Sequence, residues 1–182
     1  GDRFLRAGPA YGGSCFPKDT RALVDTANYF NINLPIVKSV IKSNDNRKIL
    51  LTNKIKKILN NKLKNKKITF LGVTFKPNTD DMREASSLLM IPKLVTMGSK
   101  IRYYDPSGFK KEFKKFRNVK FCTSISSACL KSDLIIIHTE WNDFKFLDFK
   151  KLVKKKNFVI YDMRNIYTPS KMKKFKYYGI GR

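Results

Sequence analysis

Cys15 stands in the run Tyr11-Gly12-Gly13-Ser14-Cys15-Phe16-Pro17-Lys18-Asp19, where a glycine turn meets a helix start, a setting in which a thiol becomes reactive. Pro17 suits the first helical position, because its missing N–H would have had no intrahelical partner there; a helix is therefore expected over 17–30, with Cys15 just ahead of it. The unpaired N–H groups and positive dipole end of such a helix favour a thiolate, and Lys18 adds positive charge nearby. Gly12 and Gly13 allow the backbone to approach a ligand closely. Asp19, four residues after the cysteine, is within reach of anything bound to sulfur and offers a carboxylate to activate water. The same residues also suit an ordinary turn in front of a small buried cysteine.

Two kinds of element must position these groups. After Asn31-Ile32-Asn33-Leu34-Pro35 breaks the first helix, a second is expected over 36–63, with Ile36, Val37, Val40, Ile41, Ile49, Leu50, Ile55, Ile58 and Leu59 largely at helical spacing. Such a stripe needs a partner surface, either between subunits or domains or within the chain. From residue 66 the period changes, and strands are expected over 68–73, 101–104, 134–138, 158–161 and 175–178. Helices over 86–97, 124–130 and 149–153 fall between them. The pattern predicts an α/β chain: a helical segment over 1–65 carrying the Cys15 loop, then a Rossmann-like domain over 66–182 with a parallel sheet and helices on both faces. Open sheets of this kind bind ligands at the carboxyl ends of their strands. Lys76 follows the first strand and Arg164 a later one, so both can point into that crevice. The turn Leu71-Gly72-Val73-Thr74-Phe75-Lys76 lacks G-x-G-x-x-G, so no dinucleotide fingerprint is present there.

The bulk numbers narrow the partners. The 182 residues carry 39 Lys and Arg against 14 Asp and Glu, a formal charge of +25. Residues 1–65 hold 13 positive and 4 negative side chains, and 66–182 hold 26 and 10, so the excess is spread evenly rather than gathered into a stripe. That distribution argues against specific nucleic-acid binding, although a positive surface attracts anionic ligands such as nucleotide sugars. Three cysteines and a single histidine, His138, indicate neither a disulfide framework nor a zinc site, and burial is expected for Cys122 and Cys129. No apolar run approaches the length of a membrane span and no signal peptide opens the chain, so a soluble cytoplasmic protein is expected.

The run Gly-Gly-Ser-Cys-Phe-Pro-Lys-Asp resembles the active-site segment of the UDP-glucose/GDP-mannose dehydrogenase family. Phe75-Lys76-Pro77-Asn78-Thr79-Asp80-Asp81-Met82-Arg83-Glu84 is similar to that family too. So are Thr139-Glu140-Trp141 with Phe144 and Leu147-Asp148, and Tyr161-Asp162-Met163-Arg164-Asn165, in the same order. The similarity spans the whole chain. Phe16, the Phe-Lys-Pro-Asn-Thr-Asp-Asp segment and Thr-Glu-Trp favour the UDP-glucose branch over the GDP-mannose branch, which shares Gly-Gly-Ser-Cys. A non-catalytic nucleotide-sugar binding module is the reading from a different class.

The resemblance implies a two-step, NAD-dependent oxidation of UDP-glucose at C6 to UDP-glucuronate, through a thiohemiacetal and then a thioester on sulfur. It assigns the nucleophile to Cys15 and the assisting carboxylate to Asp19. Phe4, Leu5, Gly12, Gly13, Phe75, Lys76 and Arg164 fall on the substrate side, with Lys76 beside the uracil and Arg164 offering a bidentate phosphate clamp. Lys18 and Arg83 fall on the NAD side, and a homodimer through the helical segment is implied. No metal is called for. The family pattern would place an NAD-binding domain ahead of Gly1, so the chain is expected to be the carboxyl-terminal part of an enzyme, inactive alone.

Overall fold

The computed structural model describes residues 6–181. Two helices open the described chain, α1 (Cys15–Tyr29) and α2 (Pro35–Ile58). The first helix begins two residues earlier than its proline suggests. Pro17 is tolerated there because the first four N–H groups of any helix lack intrahelical acceptors, so a proline in the first turn forfeits no hydrogen bond. Asn31 ends α1 at φ 55°, and Asn60 and Asn61 follow α2 at φ 53° and 60°. Asparagine accepts this left-handed region more readily than other residues with a side chain, and so serves where glycine usually would.

The second part of the chain alternates strand and helix. It runs β1 (Lys67–Leu71), α3 (Ser87–Thr96), β2 (Lys100–Tyr104), β3 (Val119–Phe121), α4 (Ile125–Cys129), β4 (Leu134–Ile137), α5 (Phe149–Val153), β5 (Val159–Asp162), α6 (Pro169–Met172) and β6 (Lys176–Gly179). Every pairing is parallel and the strand order is β3-β2-β1-β4-β5-β6. Chain direction across the sheet reverses between β1 and β4, which pair in the register Ile68↔Leu134 to Leu71↔Ile137. A crevice opens at such a switch point, outside the carboxyl ends of the strands. β4 reads Leu-Ile-Ile-Ile and is buried on both faces, as a central parallel strand must be. The short edge strand β3 and the four-residue α6 lie where no periodic signal had marked an element.

Side chains alternate across the sheet and build two cores. Ile68 and Phe70 face one side, with Met90, Ile91 and Leu94 of α3; Leu71, Ile135 and Ile137 face the other, with Phe149 and Val153 of α5. The first core also takes in Leu51, Ile55 and Ile58 of α2 and, just beyond it, Leu59 and Leu63. The expected apolar stripe of the second helix therefore divides. Ile55, Ile58 and Leu59 are buried against the sheet, whereas Ile36, Val40, Ile49 and Leu50 are exposed. Val40 lies 18 residues, about five whole turns, before Ile58 and so on the same side of the helix; its exposure comes from its place along α2, before the stretch from Leu51 that packs on the sheet, whereas Ile49 and Leu50 point away from that side. Farther up the buried side, Asn44 and Lys48 replace apolar residues.

Ile55 is fully buried where α2 meets the sheet. Ile55→Ala is expected to lower the free energy of unfolding by about 2–4 kcal/mol in a urea titration. An unchanged midpoint would mean that α2 is not part of the sheet's core.

Candidate functional site

Three chain segments converge at the carboxyl end of the sheet: the loop leaving β1, the residues after β4 and the residues after β5. Arg164, two residues past β5, joins them. Its Nε–H donates to the His138 carbonyl at 2.9 Å and an Nη2–H donates to the Phe75 carbonyl at 2.8 Å. Glu140 Oε2 lies 2.9 Å from Nε, a charge contact rather than a directed hydrogen bond, because the Nε–H is aimed at His138. Nη1 lies against Gly8, where a Cβ would come within 2.7 Å of it. The side chain is only 12% exposed, and burial lowers its pKa against the raising pull of Glu140 and Asp162. The guanidinium thus faces largely inward as a strut, and the bidentate edge expected to face a phosphate is occupied by backbone carbonyls.

Beneath this strut lies a buried, neutral imidazole. His138 bonds Ser86 Oγ through Nε2 at 2.7 Å and Thr139 Oγ1 through Nδ1 at 3.1 Å. Burial, assisted by the Arg164 charge, pushes the imidazole down to about 3. Asp162 is raised by burial, although its carboxylate accepts N–H groups of Arg164 and Tyr167 and the Tyr177 hydroxyl. Asp105, buried at the end of β2, accepts from the amides of Val73 at 2.8 Å and Thr74 at 3.4 Å. A dinucleotide's pyrophosphate would require free amides at the turn after β1. Here a carboxylate of the chain already takes them.

The Cys15 turn packs on the β1 loop from the other side. The Gly13 N–H donates to the Arg83 carbonyl at 2.8 Å. Gly13 sits at φ 86° with the Phe75 ring so close that a Cβ would lie 2.7 Å from it, and a Cβ on Gly12 would lie 2.6 Å from the Glu84 carbonyl oxygen. Both positions therefore require glycine, for close approach to the protein's own loop. Asn44 of α2 clasps the same turn, its Oδ1 accepting the Tyr11 N–H at 3.0 Å and its Nδ2 donating to the Tyr11 carbonyl at 3.2 Å. Arg47 donates to the carbonyls of Gly8 and Pro9. Cys15 itself is the first residue of α1 and is exposed, with Ser14 Oγ 3.6 Å from its sulfur. Cys122 and Cys129 are buried as expected, and burial, with the neighbouring Cys122, holds the Cys129 thiol up at about 12.

The remaining sequence candidates are placed as follows. Asp19 and Lys18 are exposed and pair with each other, Nζ to Oδ1, at 3.3 Å, so the Lys18 charge is directed to the carboxylate rather than to the sulfur. Lys76 is exposed, with Nζ 5.2 Å from the centre of the Phe75 ring. Arg83 is held by Asp81 through two hydrogen bonds of 3.0 and 2.9 Å, which, opposed by some burial, keep the Asp81 carboxyl below its ordinary range. Phe4 and Leu5 lie outside the described residues. A cleft of about 430 Å³ is lined by Arg6, Asn78, Glu140, Asn142, Lys145 and Arg164 among others. Arg164 thus stands in the cleft wall, whereas Cys15, Asp19, Lys76 and Gly13 are not among the residues lining it. No group of three or more His, Cys, Asp or Glu among the described residues could hold a metal ion.

Several of these residues were not singled out from the sequence. Asn44 and Lys48 left a trace, polar residues four apart on the buried side of an otherwise apolar helix. Arg6, Asn142 and Lys145 left none, because only the folded loops bring them to one cleft.

Residues 69–169 match the UDP binding domain of the UDP-glucose/GDP-mannose dehydrogenase family, and residues 1–46 match its central domain. A curated UDP-glucose 6-dehydrogenase of Rhizobium meliloti is 40% identical over 185 residues, covering 100% of this chain and 42% of the relative. That of Bacillus subtilis is 38% identical over 188 residues, with the same coverages. Among solved structures, a UDP-glucose dehydrogenase from Pyrobaculum islandicum superposes with a TM-score of 0.82 at 27% identity, covering 98% of this chain and 39% of that one. A GDP-mannose dehydrogenase from Pseudomonas aeruginosa gives 0.78 at 25% identity, covering 99% and 42%. The chain therefore spans about 42% of the length of the curated relatives it matches.

His138 carries a testable pH signature. Its folded pKa lies below its unfolded value of 6.5, so the unfolded chain takes up the proton first and stability falls as pH drops below 6.5 towards 3. Through this group the unfolding free energy measured by urea is expected to fall by about 2 kcal/mol between pH 7 and pH 5. His138→Gln, which keeps hydrogen-bonding groups but does not titrate, should flatten that slope. An equal slope in both proteins would contradict a buried neutral imidazole.

Proposed function

The chain belongs to the UDP-glucose/GDP-mannose dehydrogenase family, and on that premise we propose that it carries the catalytic thiol and the UDP-binding domain of an NAD-dependent UDP-glucose 6-dehydrogenase. The observation that carries the proposal is the docking of the Cys15 turn, through Gly13, onto Phe75 and Arg83 of the loop that leaves β1. That contact sets an exposed thiol at a helix start beside the end of the sheet where ligands of this fold bind.

In this reading residues 1–65 are the helical segment and residues 66–182 the UDP-binding domain. The cleft beside Arg164 receives the nucleotide, with the Arg164 charge in its wall and Phe75 and Lys76 at its approach. Gly12 and Gly13, seated on Glu84 and Phe75, hold the Cys15 turn at the edge of the sugar's place. NAD+, when bound, would supply the hydride acceptor for both oxidations at C6; the turn after β1 does not fit its pyrophosphate, so its main site is assigned to a separate domain, with Arg83 and Lys18 on the side facing it. After the first oxidation, the Cys15 thiolate adds to the C6 aldehyde and forms a C–S bond, holding the intermediate as a thiohemiacetal. Loss of the second hydride leaves a thioester. Asp19, released from Lys18, takes a proton from the water that attacks this carbonyl; the C–S bond breaks, giving UDP-glucuronate and the free thiolate.

The exposed apolar side chains of the helical segment support a homodimer in the same reading. Leu23, Tyr29, Phe30, Ile36 and Leu50 are each more than half exposed, a surface that gains by being covered. No helix among the described residues is long and apolar enough to cross a membrane.

The whole protein is expected to form two NADH per UDP-glucose, and Cys15→Ser to reduce the complete oxidation by at least about 1000-fold while UDP-glucose binding persists. A wild-type protein that binds UDP-glucose but reduces no NAD+ would be a binding module, and preferential oxidation of GDP-mannose would move it to the neighbouring branch.

A further inference from the structure

We propose that Glu84 is a positioning residue whose carboxylate latches the helix bearing Cys15 to the carboxyl end of the sheet. The role builds on the reading of Cys15 as the nucleophile. α1 needs such a latch because it buries only Pro17 and Ala27, so apolar packing holds it weakly. Glu84 lies in the loop leaving β1, with its backbone in the left-handed region at φ 54°. Its Oε2 accepts from Lys48 Nζ at 3.0 Å and its Oε1 from Arg21 Nη1 at 3.3 Å. Arg21 belongs to α1 and Lys48 to α2, so one carboxylate ties both helices to the loop that also carries Phe75.

The latch has an exposed half and a buried half: Arg21, its α1 member, is 44% exposed. The Lys48 side chain is 8% exposed, and its other carboxylate neighbour, Asp45, is farther away, at 3.7 Å. Asp45 also meets Arg21 at 3.8 Å, which closes a four-residue ring of alternating charge. Burial opposes ionisation of Glu84, yet the hydrogen bonds and charges of Lys48 and Arg21 outweigh it and hold the carboxyl below its ordinary range. The neighbouring backbone completes the hold: the Arg83 carbonyl accepts the Gly13 N–H, and the Glu84 carbonyl lies against Gly12. Cys15 is thus bracketed, with backbone contacts at the turn before it and the ionic contact six residues after it on the same helix. Without the carboxylate the backbone contacts remain as a pivot, and α1 turns about them.

Hydrogen exchange on the 182-residue chain tests the latch independently of any activity. In Glu84→Gln the amides of α1 should exchange about tenfold faster, while those of β1 and β4 stay within about twofold. Adding Lys48→Met removes the lone buried ammonium, so thermal stability should recover while α1 stays poorly protected. Recovery of both, or unchanged exchange in the single variant, would overturn the proposal. In the whole protein Glu84→Gln should lower kcat for UDP-glucose about tenfold with KM little changed, and Glu84→Asp should recover part of it. Parallel changes in kcat and KM, or neither, would contradict positioning. A wild-type protein without any oxidation of UDP-glucose would count against the dehydrogenase reading, and the exchange result would still decide the latch.

Discussion

The architecture of the site depends on Arg164 and the two carbonyls it holds. One guanidinium bonds the backbone of Phe75, after β1, and of His138, after β4, and it sits on the chain just past β5. Hydrogen bonds from a charged group contribute about 1.5–3 kcal/mol each, and leaving such a group buried without partners costs more, so these three strand ends are held as a unit. Phe75 then has a fixed place, and its ring is the floor on which Gly13 rests. The position of the cysteine turn is therefore inherited from the sheet. Lysine could not substitute here, because it lacks the planar fork that reaches two carbonyls at once.

The same end of the sheet explains why this domain differs from a dinucleotide-binding one with similar topology. Strand order and switch point are those of such folds. What differs is the occupancy of the first turn, where Asp105 accepts the amides that a pyrophosphate would otherwise need. A negative charge already seated at that position also repels another. The cleft lies instead beyond the strand ends, lined by Asn78, Glu140, Asn142, Lys145 and Arg164 among others.

Much of this was legible in the sequence where a single period governs burial. Five of the six strands and the helices α3, α4 and α5 were marked by apolar runs with turn residues between them, since the central sheet is buried on both faces. β3 was not, because Val119-Lys120-Phe121 is a three-residue edge strand that buries little. The stripe of α2 misled for a different reason: periodicity marks a side of a helix but not how far along it the partner surface reaches, and only the stretch with Leu51, Ile55 and Ile58 meets the sheet. Motif resemblance pointed to Cys15, Gly12, Gly13, Phe75 and Arg164, but not to the bonds among them. That Arg164 turns inward, and that Asp19 and Lys18 pair with each other, depends on tertiary distances that no local pattern encodes.

The central claim is that the Cys15 thiol and the cleft at the carboxyl end of the sheet form one site. The most direct measurement is the rate at which iodoacetamide alkylates Cys15, followed by peptide mass spectrometry, with saturating UDP-glucose and with UDP as a control. The account predicts that UDP-glucose slows alkylation at least about tenfold, because its sugar covers the sulfur, and that UDP slows it less. Saturating UDP-glucose that leaves the alkylation rate unchanged would show that the nucleotide cleft and the thiol are separate features of the fold.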